Sequence, residues 1–461
     1  MPSTGDDDPT TGPDDSTGDV DPSESSGELP PMDTSSDDGS SSDDGPLPSE
    51  CPAPTSGPTM HPGNNVEADE LWTADGSPHL VPYDFTIHAR IEIEPCAVVQ
   101  LGERLTLTVG DGGELVAQGT ETLPITFERM GAEPWTAIRL IGGTASFAYA
   151  LLDGGGRATA ATVDLTGALL VNGRSGSAAP EPVLSVSHVE IRGSQSAGVR
   201  LESLGAFTDD SEALTITQGA AHPISAAATV VGTIPSGSYT GNGDDQIVLT
   251  TANAETIFVD ATMHHRGVPY FVGLPGQPAD LRVQAHDDGG LAVLTIEPGV
   301  ELRFQQGGVL TVQHLSADLP ATGALVAIGT EDAPIIFTSA AESPAAGDWL
   351  GVHFGGVLDP IDRMEHVRVE YAGGASTTGS NSCPYEGDTI NEAAIRIFGV
   401  PPGDFITDTE IVASAAHGID RGWRDDFIVD LVPSNSFDIN GCTQTWPRTE
   451  DGSCPDPVPC P

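Results

Sequence analysis

GALVAIGTEDAPIIF, Gly323–Phe337, repeats at ten of its fifteen positions an earlier stretch, GELVAQGTETLPITF, Gly113–Phe127. Other pairs fall in the same order around these two. Val81–Tyr83 recurs at Val268–Tyr270, Ile93–Pro95 at Ile296–Pro298, and Trp135 at Trp349. The separations are 187, 203, 210 and 214 residues, rising steadily along the chain. Chance matches do not stay collinear, so the chain carries a duplicated unit of about 190 residues whose turns differ in length.

Each copy reads as short strands. Runs such as RLTLTV (Arg104–Val109), HVEIRG (His188–Gly193), GVELRF (Gly299–Phe304) and HVRVEY (His366–Tyr371) alternate apolar and polar residues with period two. Fifty-five Gly and 38 Pro interrupt any helical period. The chain is therefore all-β. Strand-like runs recur every 10–14 residues in the first copy, while the hairpin dipeptide Asn-Gly is rare. That favours a parallel coil over the alternative, a tandem pair of β-sandwiches. In the quoted pair, Leu115, Ala117, Leu325 and Ala327 are expected inward, and Val116, Gln118, Val326 and Ile328 outward. Gly119 and Gly329 make a bend, Thr120 and Thr330 bond its backbone, and Pro124 and Pro334 open the next strand. The expected interior also holds Ile93, Leu107, Ile125, Phe127, Ile296, Leu310, Ile335 and Phe337. Glu121 and Glu331 are shared by the two copies, but both sit in turns.

LTIEPGVELRFQQGGVLTV (Leu294–Val312), the quoted second copy and GDWLGVHF (Gly347–Phe354) resemble repeats of right-handed parallel β-helix proteins secreted or displayed by bacteria. These share the pectin-lyase-like fold. SYTGNGDDQIVL (Ser238–Leu249) and EYAGG (Glu370–Gly374) resemble the same group. The resemblance spans residues 66–440. It implies a β-helix and names no single activity, because the group is functionally mixed. The first copy departs from the pattern at Cys96, which stands where the second has Gly299.

The expected organisation is an acidic Ser/Thr/Gly/Pro linker at 1–50, a first β-helix unit at 51–258, a second, continuous unit at 259–440, and a Cys/Pro-rich cap at 441–461. The linker holds 15 acidic residues and no basic one. Such a segment cannot bury enough apolar surface to offset its ordering entropy, so a disordered tether, like a lipoprotein linker, is expected. Met1 is followed by Pro, Ser, Thr, Gly and three Asp, so a signal segment is read as absent from this chain. No run is apolar and long enough for a membrane helix.

Sixty-eight acidic residues face 17 basic ones, all of them Arg, for a net charge of -51. Such a surface repels phosphate backbones and sets nucleic acid aside as a partner. Cys51, Cys96, Cys383, Cys442, Cys454 and Cys460 contain no CxxC pair and fit disulfides of an extracellular or cell-surface protein. Local pairing is expected: Cys51–Cys96, Cys383–Cys442 and Cys454–Cys460.

Candidate chemistry is thin. Adjacent carboxylates at Asp209–Asp210, Asp244–Asp245, Asp287–Asp288 and Asp425–Asp426 look like turns in so acidic a chain. The nearest approach to the Gly-His-Gly motif of polygalacturonase-like enzymes is Ala416–His417–Gly418, and a chain without Lys cannot supply their Arg-Ile-Lys motif. His264–His265 point to opposite faces if they lie on a strand. Trp135 and Trp349 recur, as wall-packing residues would. Trp72, Trp423 and Trp446 have no counterpart and are the candidate ligand platforms. No cofactor motif is present, and Ca²⁺ at an Asp-rich turn is the one metal considered. The expected function is non-catalytic: a monomer at the cell surface or outside the cell that serves adhesion or binds a polysaccharide or another surface component. The alternative is a polysaccharide lyase or glycoside hydrolase working on an outer face, recognised by a cleft with two or three carboxylates and an Arg.

Overall fold

A computed structural model describes residues 51–460 except 64, 160–165, 175–177, 251–253, 275–278, 287–289, 314–320 and 386–390. The acidic linker at 1–50 and the Asp287–Asp288 pair lie outside the described residues. The described residues belong to one structural unit.

Nearly all of the regular structure is short strand, with 3₁₀ turns at Ala74–Gly76 and Ala228–Thr233. Among the described residues every strand pairing is parallel, and strands inside each sheet pair with at least one strand earlier in the chain and one later. Antiparallel sandwiches have no such pairing. The longest sheet has 13 strands, taking in turn Phe85–Ile87, Thr106–Val109, Ala137–Ile141, Gly167–Asn172 and so on to Ser436–Asp438. Beside it stand a 12-stranded sheet in the first half, and a six-stranded and a five-stranded sheet in the second. The arrangement is compatible with a coiled, solenoid-like β fold.

The interior follows the alternation. All twelve residues expected inside, from Ile93 to Phe337, are at most 2 % exposed. Ile328 and Gln118 point out as expected. Val116 faces outward yet is 8 % exposed, because Glu92 and Ser146 flank it in the ladder. Gly119 and Gly329 are needed for close approach: a Cβ would sit 2.7 Å from the Tyr149 carbonyl oxygen and 2.5 Å from that of His366. Thr120 and Thr330 do bond the corner, accepting from the amides of Leu123 and Ala333 at 3.2 and 3.0 Å. Cys96 keeps the conformation of the Gly it replaces, with φ of 72° against 79° at Gly299.

The two copies do not occupy equivalent sheets. Ile125–Arg129 lies in the 12-stranded sheet, whereas its match Ile335–Ser339 lies in the 13-stranded one. Ala137–Ile141 lies in the 13-stranded sheet, and its match Gly351–Phe354 in the six-stranded one. The second copy is thus advanced by one sheet around the coil.

Cys51–Cys96 forms as expected, but the other two bridges are Cys383–Cys454 and Cys442–Cys460. The local pairing fails because Cys383 lies under the returning C-terminal segment, its amide donating to the Trp446 carbonyl at 2.7 Å. The chain end is therefore stitched back to the loop before the strand Ala393–Ile397. Peptide mapping without reduction is expected to recover the 383–454 and 442–460 cross-links. Recovery of 383–442 would refute this arrangement of the cap.

Candidate functional site

Two of the quoted stretches meet in space. Asp244 of GNGDDQ and Glu370–Tyr371 of EYAGG line one cleft of about 590 Å³ on the outer face of the 13-stranded sheet. Its floor is a ladder of outward residues in register, Phe271 beside Arg303 beside Thr338. The Thr338 hydroxyl donates to Glu370 at 2.9 Å. A second row, two residues earlier, runs Glu301, Ile336, Arg368 and Glu410. Residues two apart on a strand share a face, so each Arg reaches a neighbouring carboxylate. Arg303 Nε lies 2.6 Å from Glu301, and Arg368 bridges Glu370 and Glu410 at 2.5 and 2.6 Å.

One wall comes from a difference between the copies. Between Phe337 and Trp349 the separation grows from 210 to 214, so the second copy has four more residues here. Ala340, Ala341, Glu342 and Pro344 of that longer turn line the cleft. Asp348 pins the turn, accepting from Ser339 Oγ at 2.6 Å and the Ala345 amide at 2.9 Å.

The adjacent pair Asp244–Asp245 divides its labour. Burial disfavours ionisation of Asp245, but the amides of Asn242 and Gly241, at 2.8 and 3.0 Å, outweigh it and leave the pKa below the ordinary carboxylate value. Asp245 is a turn residue. Asp244 stands at the cleft mouth, open to solvent over part of its surface. The protein around it still desolvates its carboxyl enough to raise the pKa, against the opposing Gln246 hydrogen bond and Arg303 charge.

The tryptophan candidates lie elsewhere. Trp72, 2 % exposed, packs against both His61 and His79, with ring centroids 4.1 and 5.2 Å away, and the two imidazoles touch each other at 3.0 Å. Trp423, 1 % exposed, donates to the Phe427 carbonyl at 3.0 Å. Trp446 is half-buried under the Arg421 guanidinium, 5.3 Å from its ring centroid. Trp72 and Trp423 present no open ring. Trp135 and Trp349 are wholly buried and donate to the carbonyls of Asp153 and Glu370 at 3.2 and 2.7 Å.

The histidines and remaining acid pairs are structural in their contacts. His264 Nδ1 is 2.7 Å from Glu297, whose other oxygen accepts from the His265 amide. His417 Nδ1 accepts from the Cys442 amide at 3.1 Å. Asp210 accepts from Thr208, and Asp425 from the Phe427 amide.

Sequence reading singled out Asp244 and the EYAGG stretch, but not Phe271, Arg303 or Thr338, which are spread over three circuits. The available signal was the unequal turn length beside Trp349. No protein-family profile, curated protein or solved structure matches this chain.

Proposed function

We propose that this is an extracellular right-handed parallel β-helix protein that binds a neutral polysaccharide across the outer face of its 13-stranded sheet. The convergence of Phe271, Tyr371, Ile336 and arginine-tied carboxylates in one open cleft carries this reading. Apolar rings match the flat faces of sugar rings, and fixed polar groups between them match hydroxyls. The cleft sets Asp244, Glu301, Glu342 and Glu370 against Arg303, so a polyanion is repelled and an uncharged chain is not. Three disulfides support the extracellular assignment.

Binding is favoured over cleavage because Glu301 and Glu370 are engaged in ion pairs with Arg303 and Arg368. Asp244, with its raised pKa, is the group that keeps hydrolysis as the second reading.

Affinity electrophoresis against neutral and acidic polysaccharides tests the proposal. Retention is expected on a neutral polymer, and Tyr371→Ala should weaken it about tenfold, about 1.4 kcal/mol. Equal retention of wild type and variant, or retention only on polyuronates, would refute the cleft as the site. Release of oligosaccharide that Asp244→Asn abolishes would move the assignment to hydrolysis.

A further inference from the structure

A second cluster stands at the corner that leads into the strands Val367–Glu370 and Glu410–Val412, and it shares no lining residue with the polysaccharide cleft. Glu365, His366 and Asp408 each offer a ligand atom, and these atoms all lie within 4.8 Å of one another. They come from neighbouring circuits at the same corner, the one where Gly329 stands a circuit earlier. The strand Arg363–Glu365 ends there, pairing Glu365 with Thr407, so His366 and Asp408 follow in step.

Both residues are held in the left-handed region, with φ of 50° and 48°. Their backbones are fixed by neighbouring circuits. The His366 carbonyl accepts from the Ile335 amide at 3.1 Å, and the Asp408 amide donates to the Ser434 carbonyl at 2.7 Å. A rigid corner thus aims one nitrogen and two carboxylates at a common point. The cluster opens on a cavity of about 560 Å³ that Glu331 and Ser434 also line.

The three side chains make no hydrogen bond and no ion pair among the described residues. Elsewhere on the coil the facing carboxylates are answered by arginine, as at Glu301, Glu370 and Glu410. Here two converging carboxylates have no protein cation to offset their repulsion, which calls for one from solution.

We infer that Glu365, His366 and Asp408 form a binding site for one divalent transition-metal ion of the zinc class. One imidazole and two carboxylates suit Zn²⁺ with open positions left for water. Oxygen-only sites suit Ca²⁺ and Mg²⁺, and the imidazole argues against both here.

Calorimetric titration of the full chain with Zn²⁺ alone, in excess Mg²⁺, tests this. The Mg²⁺ occupies the many surface carboxylates, so one Zn²⁺ per chain is expected to remain bound. His366→Asn and Asp408→Asn, both tolerant of positive φ, should each weaken it by about tenfold or more. Displacement by Mg²⁺, or Zn²⁺ affinity unchanged in both variants, would overturn the site. A readout on the unaltered protein guards against misfolded variants: Zn²⁺ should protect His366 from diethyl pyrocarbonate, located by mass spectrometry. Equal modification of His366 with and without Zn²⁺ would also overturn it.

Discussion

Trp349→Ala is expected to cost about 3–5 kcal/mol of stability, the range for truncating a large aromatic in a packed core. The indole is fully buried, stacks on Phe304 at 4.3 Å and 4°, and ties its N–H to the Glu370 carbonyl. Alanine leaves a cavity and an unanswered carbonyl together. Trp349→Phe keeps the ring contact and loses the hydrogen bond, so it should cost about 1–3 kcal/mol. Urea denaturation measures the totals. Hydrogen exchange should show the loss concentrated in Glu301–Phe304, Ile335–Ser339 and Val367–Glu370. A cost below about 1 kcal/mol for Trp349→Ala would contradict this account of the core.

The second large effect is a pair of opposed pH dependences. Burial pushes Asp362 up to about 7, although it accepts from the amides of Leu325 and Asp359 at 2.8 and 3.0 Å. Its folded form holds a proton more tightly than the unfolded chain does. It therefore adds stability as pH falls from 7 toward the unfolded value near 4. Burial, and then the Arg396 guanidinium, lower His353 to about 3. Its unfolded form takes the proton first, so stability falls as pH drops below about 6.5. Between pH 8 and pH 5 each group shifts stability by about 2–3 kcal/mol, with opposite sign. Wild type should therefore hide both. Against it, Asp362→Asn should lose about 2–3 kcal/mol more on acidification, and His353→Gln should lose about 2 kcal/mol less. Parallel pH profiles in all three proteins would show that neither group titrates as described.

How much of this was legible in the chain depends on whether the cause is local. The inward rows, the Gly-Thr corners and the wall role of Trp135 and Trp349 follow from alternation and repetition. A reader needs only neighbours along the strand to place Leu325 inside. The cleft depends on which outward residues stack from circuit to circuit, and circuit length varies with every turn. Phe271, Arg303 and Thr338 become neighbours only once the register is known. The tryptophans misled because an unmatched aromatic can be a cap contact as readily as a platform. The disulfides misled for a related reason: nearness in sequence ranked Cys454 with Cys460, while the chain end folds back to Cys383.

The advance of the second copy by one sheet has a consequence for how the protein meets its surroundings. A duplication in phase would have given two like patches facing the same way, a bivalent grip on one polymer. Here the positions of Arg303 and Thr338 correspond to Gln100 and Glu128 on the 12-stranded sheet, where Gln100 donates to Glu128 at 2.8 Å. The two sibling patches sit on different sheets. Selection could alter one without disturbing the other, and avidity between them was never available. Doubling the segment thus gave two unlike patches on two sheets rather than one patch twice.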